Sequence, residues 1–150
     1  MSFDWQSYLA LAKTLNAMSD EAAWRSAVSR AYYSAFHAAS STLKANTIAT
    51  FPKDERKSHA KVWNVYTQSA KKDCRRIGNR ATRIMDDRLD ADYNAARVFK
   101  AAEVTTLINE TEALVTAIGV PQNLPEGYTG PHSTRAAHPL IRLLKRAFGP

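Results

Sequence analysis

The stretch Ser29-Arg-Ala-Tyr-Tyr-Ser-Ala-Phe-His-Ala38 sits in the middle of one long helical pattern, about residues 21–45, and its reading decides the fold. Trp24, Ala27, Val28, Ala31, Ala35, Ala38, Thr42 and Leu43 recur mainly at three- and four-residue steps, laying an apolar stripe along one side of an α-helix. Many of these residues are small, so a neighbouring helix can approach the backbone closely. Ser19 or Asp20 supplies the cap that starts the helix. Arg30 and His37, seven positions apart, are separated by about 700° of rotation and return to nearly the same face. Tyr33 lies between them, three positions after the arginine and four before the histidine. A permanent cation, a phenol and a group that titrates near neutral pH thus share one row at the margin of the buried face.

Working outward, a first helical pattern covers about residues 4–18, with Trp5, Tyr8, Leu9, Ala12 and Leu15 on one side. A loop is expected at 46–52. A third helical stretch, about 54–87, turns Val62, Tyr66, Ser69, Ile77, Ala81, Ile84 and Met85 inward and is expected to bend near Gly78. The last, about 95–118, presents Phe99, Ala102, Leu107, Ala113, Leu114 and Ala117, and Gly119, Val120 and Pro121 close it. No strand pattern competes, so the fold class is all-α, a bundle of four to five helices. Five of the six prolines and four of the five glycines fall between Gly119 and Pro150. The chain therefore divides into a helical domain over 1–119 and a loop-rich tail over 120–150. Within the tail, His138-Pro-Leu-Ile-Arg-Leu-Leu-Lys-Arg-Ala-Phe148 has the pattern of a short basic amphipathic helix, able to dock on a partner, a membrane surface or its own domain.

Composition narrows the classes. The net charge of +7 favours anionic partners, nucleic acid first, although charge also serves solubility. A single cysteine, Cys74, excludes an internal disulfide, and the four histidines never take a metal-ligand spacing. No metal or other cofactor is expected. No run is apolar enough for a membrane span and no leader pattern opens the chain, so a cytoplasmic protein is expected.

Two further constellations carry chemistry. Lys72, Arg76, Arg80 and Arg83 follow one another at three- and four-residue steps, flanked by Lys71 and Arg75. From Lys53 to Arg88 there are eleven Lys or Arg against five Asp or Glu. A cationic helix face about 16 Å long can follow a phosphodiester backbone, or simply be a solvated face. Only Trp63 and Tyr66 are close enough to stack bases, so base-specific reading by this face is not expected. The second constellation, Arg88-Leu-Asp-Ala-Asp-Tyr-Asn94, falls where the third stretch must turn into the last. Asp and Asn suit turns and caps, and Arg88 with Asp92 can close a local ion pair.

Together these segments resemble the HEPN family, the higher eukaryotes and prokaryotes nucleotide-binding domains. The stretch from Ser29 to Ala38 is similar to the second-helix signature of a bacterial and archaeal subgroup, and Arg88-x-x-Ala-Asp-Tyr93 to that subgroup's second motif. The resemblance covers about residues 5–118. It implies an up-and-down bundle that often forms homodimers. It also implies one of three kinds of work: metal-independent RNA cleavage in toxin–antitoxin or defence systems, partnership with a nucleotidyltransferase encoded nearby, or binding of RNA, nucleotides or proteins. Carried over from the family, Arg30 and His37 satisfy the spacing of its Arg-x(4–6)-His motif; if the chain cuts RNA, His37 is the general acid/base, Arg30 the phosphate clamp and Tyr33 an orienting group, with the stripe Lys72, Arg76, Arg80 and Arg83 holding the RNA backbone. The ribonuclease motif of the family usually lies late in the domain, where this chain has Arg88, Asp92 and Tyr93 and no histidine. Arg30 and His37 are accordingly either a nuclease pair or a packing motif, and a non-catalytic interaction module is the alternative function.

Overall fold

The computed structural model describes residues 3–49 and 55–126, which form five α-helices and one short 3-10 turn. They are α1 (Ser7–Asn16), α2 (Glu21–Ala45), α3 (Glu55–Thr67), α4 (Lys72–Tyr93) and α5 (Ala101–Ile118), followed by the turn Pro121–Asn123. The described chain is an all-α bundle with no strand. The basic amphipathic segment expected in the tail lies outside the described residues. No described helix is long and apolar enough to cross a membrane.

α2 is the hub and touches all four other helices. Its start is set by Asp20, whose carboxylate accepts from the backbone N–H groups of Ala22 (3.3 Å) and Ala23 (3.2 Å), satisfying donors that a helix leaves unpaired. Its end is a Schellman turn: Ile48 N–H donates to Leu43 O and Thr47 N–H to Lys44 O. Thr47 takes the left-handed conformation this needs, with φ of 55°. Ala27, Ala31, Ala35 and Ala39 are fully buried or nearly so, and their size lets flanking helices pack close around α2. The core around them contains Tyr32, Leu43, Trp63, Tyr66, Phe99 and Leu114.

Three expectations are corrected. The third stretch is two helices, broken at residues 68–71, not one helix bent at Gly78. Ser69 Oγ accepts the Lys71 N–H, and Arg75 folds back to donate to the carbonyls of Ser69 (2.9 Å) and Ala70 (2.6 Å), closing the end of α3. Gly78 instead marks a close approach of α3 and α4, since a Cβ there would lie 2.6 Å from both the backbone nitrogen and Cγ2 of Thr67. Second, Arg88–Tyr93 is not a corner but the last turns of α4. The corner follows it, and α5 starts only at Ala101. Third, Ala102 and Ala113 are exposed, and α5 buries Val104, Ile108 and Thr111 instead.

Arg25, on α2, clasps this corner. Its Nη1 donates to the carbonyls of Asp90, Ala91 and Asn94 at 3.0–3.3 Å, its Nη2 to that of Arg97, and its Nε to Glu21. One guanidinium thereby draws together carbonyls of the end of α4 and of the following turn, those of Asp90 and Asn94 being shared with the backbone N–H groups of Asn94 and Arg97.

Candidate functional site

Arg30, Tyr33 and His37 occur as a row on α2, each part-buried. The Arg30 guanidinium lies 4.8 Å from the centroid of the Tyr8 ring and 5.4 Å from that of Tyr33, within the range of cation–π attraction. Among the described residues no carboxylate is within ion-pairing distance of Arg30. His37 stacks on Trp5, with ring centroids 3.5 Å apart, and lies 6.2 Å from the Tyr33 ring. Phe3, Trp5 and Tyr8 pack edge to face on one another, so an aromatic cluster from the N-terminal segment lies against the two ends of the row, Arg30 and His37.

Tyr33 also joins this row to the second motif. Arg88 Nη2 donates to Tyr33 Oη at 2.6 Å, reaching from α4 to α2, and the Arg88 guanidinium lies 5.1 Å from the Tyr33 ring. Tyr33 is therefore flanked by two arginines. Arg88 Nε lies 2.9 Å from Asp92 Oδ2, an ion pair by distance whose N–H is poorly aligned on the oxygen. Ser29 Oγ donates to the same oxygen at 3.4 Å. The charge of Arg88 is thus compensated by Asp92, whereas that of Arg30 rests against aromatic faces. Tyr93 stands out from the end of α4, 75% exposed.

These residues open a cleft of about 630 Å³ whose walls include Tyr33, His59, Met85, Arg88, Leu89 and Tyr93, a size usual for small-ligand sites. His59 is the member that the sequence reading missed. It stands on α3, and its ring stacks on Phe36 of α2 at 3.9 Å. Its Nδ1 is 2.7 Å from Tyr32 Oη, which also receives the Trp63 Nε1–H at 3.1 Å. Trp63 can only donate, so the tyrosine's own proton is best placed on the line to His59 Nδ1. Burial, with the nearby positive Arg88 and then His37, pushes the His59 pKa down to about 4, while burial raises that of Tyr32. A neutral imidazole that accepts at Nδ1 must carry its proton on Nε2. The signal in the sequence was slight, a histidine four positions before a tryptophan on one helix, and nothing there says which helix it faces.

Lys72, Arg76, Arg80 and Arg83 are all exposed along α4, and Arg76 pairs with Asp73 at 3.1 Å. The structure does not bring this stripe to the cleft. Leu89, nine positions after Arg80, is turned about 180° from it around the helix, and Arg76 and Arg80 face a shallow groove against α5 instead. Trp63 and Tyr66 are buried and cannot stack a bound base. Among the described residues no group of three or more His, Cys, Asp or Glu is placed to hold a metal ion.

A family model for the HEPN domain matches residues 8–120, three-quarters of the chain and every helix described above. No curated protein matches the sequence.

Proposed function

Because this chain belongs to the HEPN domain family, we propose that it binds RNA or a nucleotide, with the phosphate at Arg30 and the rest of the nucleotide in the cleft beyond Tyr33. The observation that carries this reading is the hydrogen bond from Arg88 to Tyr33, which joins the two separate sequence motifs across one cleft. Arg30 suits a phosphate because its guanidinium fork matches two oxygens and, among the described residues, no acid already pairs with it.

The same row supports metal-independent endoribonuclease action, as in a toxin–antitoxin or defence system. His37 takes the proton of a 2′-hydroxyl, the freed oxygen attacks phosphorus as the bond to the 5′ oxygen breaks, and the His37 imidazolium so formed returns a proton to that leaving oxygen. Arg30 stabilises charge on the phosphate, and Tyr33 orients it. The test is cleavage of a mixed RNA pool in EDTA by wild type beside His37→Ala, both shown to be folded. Cleavage by wild type alone supports the assignment, and equal cleavage by both removes His37 from it.

A second reading is supported by the exposed Leu89 and Tyr93 at the mouth of the cleft. They suit a non-catalytic interface, with a cognate nucleotidyltransferase or a second copy of this chain covering them. Under that reading Leu89→Glu weakens the complex and leaves RNA binding at Arg30 in place.

A further inference from the structure

We infer that the cleft between Tyr33, His59 and Arg88 is a base pocket that selects guanine, reading its O6 and N7 acceptors. The inference rests on the RNA- or nucleotide-binding reading above and adds which base the site takes.

The argument starts from the polarity of the walls. His59 Nδ1 faces Tyr32 Oη, so Nε2–H is the polar atom the ring has left to offer a ligand. Arg88 spends one N–H on Tyr33, pairs its Nε side with Asp92, and has only donors to give. Tyr33 Oη accepts from Arg88 and keeps its own proton to donate. Three side chains from three helices thus present donors to one cleft. An anion would satisfy donors as well, but Asp92 already compensates Arg88, and Met85, Leu89 and Tyr93 make the remaining walls apolar or aromatic. A neutral, planar ring with acceptors on one edge fits both facts.

Among the bases, guanine presents two adjacent acceptors, O6 and N7, and an arginine pairs with that edge in two-pronged fashion. Adenine offers N7 beside an amino group, which would face the donors of Arg88 or His59 and leave them unpaired. The exposed Tyr93 provides a face on which a base can stack. Arg30 is not a wall of the cleft but lies 5.4 Å from the centroid of the Tyr33 ring, which is, so the phosphate of a nucleotide seated this way has nearby a cation with no acid partner among the described residues.

The experiment is calorimetric titration of the whole protein with 5′-GMP, IMP, AMP and 7-deaza-GMP, together with nitrogen NMR of the His59 ring. GMP and IMP, which share O6 and N7, are expected to bind alike, with AMP about tenfold weaker or more and 7-deaza-GMP intermediate. The free protein should show His59 protonated at Nε2, and GMP but not AMP should shift that signal. Equal binding of GMP and AMP, with RNA still bound, overturns the guanine pocket and leaves RNA binding standing. Failure of every nucleotide and of RNA to bind overturns both. GMP preference without a shift at His59 places the base elsewhere and overturns the assignment of the cleft.

Discussion

Replacing Arg25 with alanine tests how the motif-bearing end of α4 is held. Its guanidinium supplies donors to the carbonyls of Asp90, Ala91, Asn94 and Arg97, and its Nε reaches Glu21. A hydrogen bond from a charged donor is worth about 1.5–3 kcal/mol when only its donor is removed. The four carbonyls share one cation, and those of Asp90 and Asn94 also accept a backbone N–H, so the terms do not add. The expected cost of Arg25→Ala is about 2–4 kcal/mol, read as a shift in the urea midpoint with an unchanged slope. Arg25→Lys keeps the charge near the negative end of α4 but reaches fewer carbonyls, and should lose about half as much. Glu21→Ala removes only a surface pair and should cost less than about 0.5 kcal/mol. The three variants separate the clasp from charge and from the local pair. If Arg25→Ala stays within about 0.5 kcal/mol of wild type, or if lysine substitutes without loss, the clasp is not what orders this corner.

Gly78→Ala would gain up to about 1 kcal/mol in helix propensity on α4. The added Cβ meets the Thr67 backbone nitrogen at 2.6 Å, so a net loss of about 1–2 kcal/mol is expected in the same denaturation assay. Thr47→Gly relieves a non-glycine residue at φ of 55° and should stabilise by about 0.5–1 kcal/mol, because the left-handed position costs glycine nothing. His59 makes stability depend on acid. Its folded pKa, about 4, lies below the ordinary histidine value of 6.5, so above pH 6.5 both states are neutral and nothing is lost. Between 6.5 and 4 the unfolded chain takes up a proton that the folded chain refuses, and stability falls as pH falls. The part-exposed ring limits this to about 1–2 kcal/mol, and a His59→Phe variant should lose that portion of the slope in urea titrations across this window.

The helices were legible where one side of a periodic pattern had to be buried. Residues 21–45 read as one helix because large and small apolar residues return at the right steps for six turns, and the bundle follows from several such stripes. The break at 68–71 was hidden for a physical reason: Tyr66, Ser69 and Ile77 are all buried, so the inward pattern runs on across the gap. Glycine at 78 drew the bend instead, because a sequence shows that a side chain is missing but not what occupies its place. Ala102 and Ala113 were ambiguous in a different way, since alanine is tolerated on either face of a helix. The row of Arg30, Tyr33 and His37 needed only the geometry of its own helix and could be read directly. His59, Arg25 and the separation of the basic stripe from the cleft depend on which helices face each other, and no single helix carries that information.

The adjacent tyrosines show how closely the core and the candidate site are joined. Tyr32 and Tyr33 leave α2 about 100° apart, and that rotation gives them different work. Tyr32 is fully buried, and its hydroxyl takes the Trp63 N–H and meets His59 Nδ1. Tyr33 lies at the margin, between Arg30 and Arg88, with its hydroxyl on Arg88. The buried tyrosine thereby fixes which nitrogen His59 turns to the cleft, and its part-buried neighbour fixes where Arg88 stands in the opposite wall. Neither role can be exchanged for the other, because a one-residue slip on α2 would carry one phenol to the other's place and drive the second into the buried position of Ala31 or Ser34. A short helical motif of this kind sets the chemistry of the cleft from both sides while contributing only one side chain, Tyr33, to its wall.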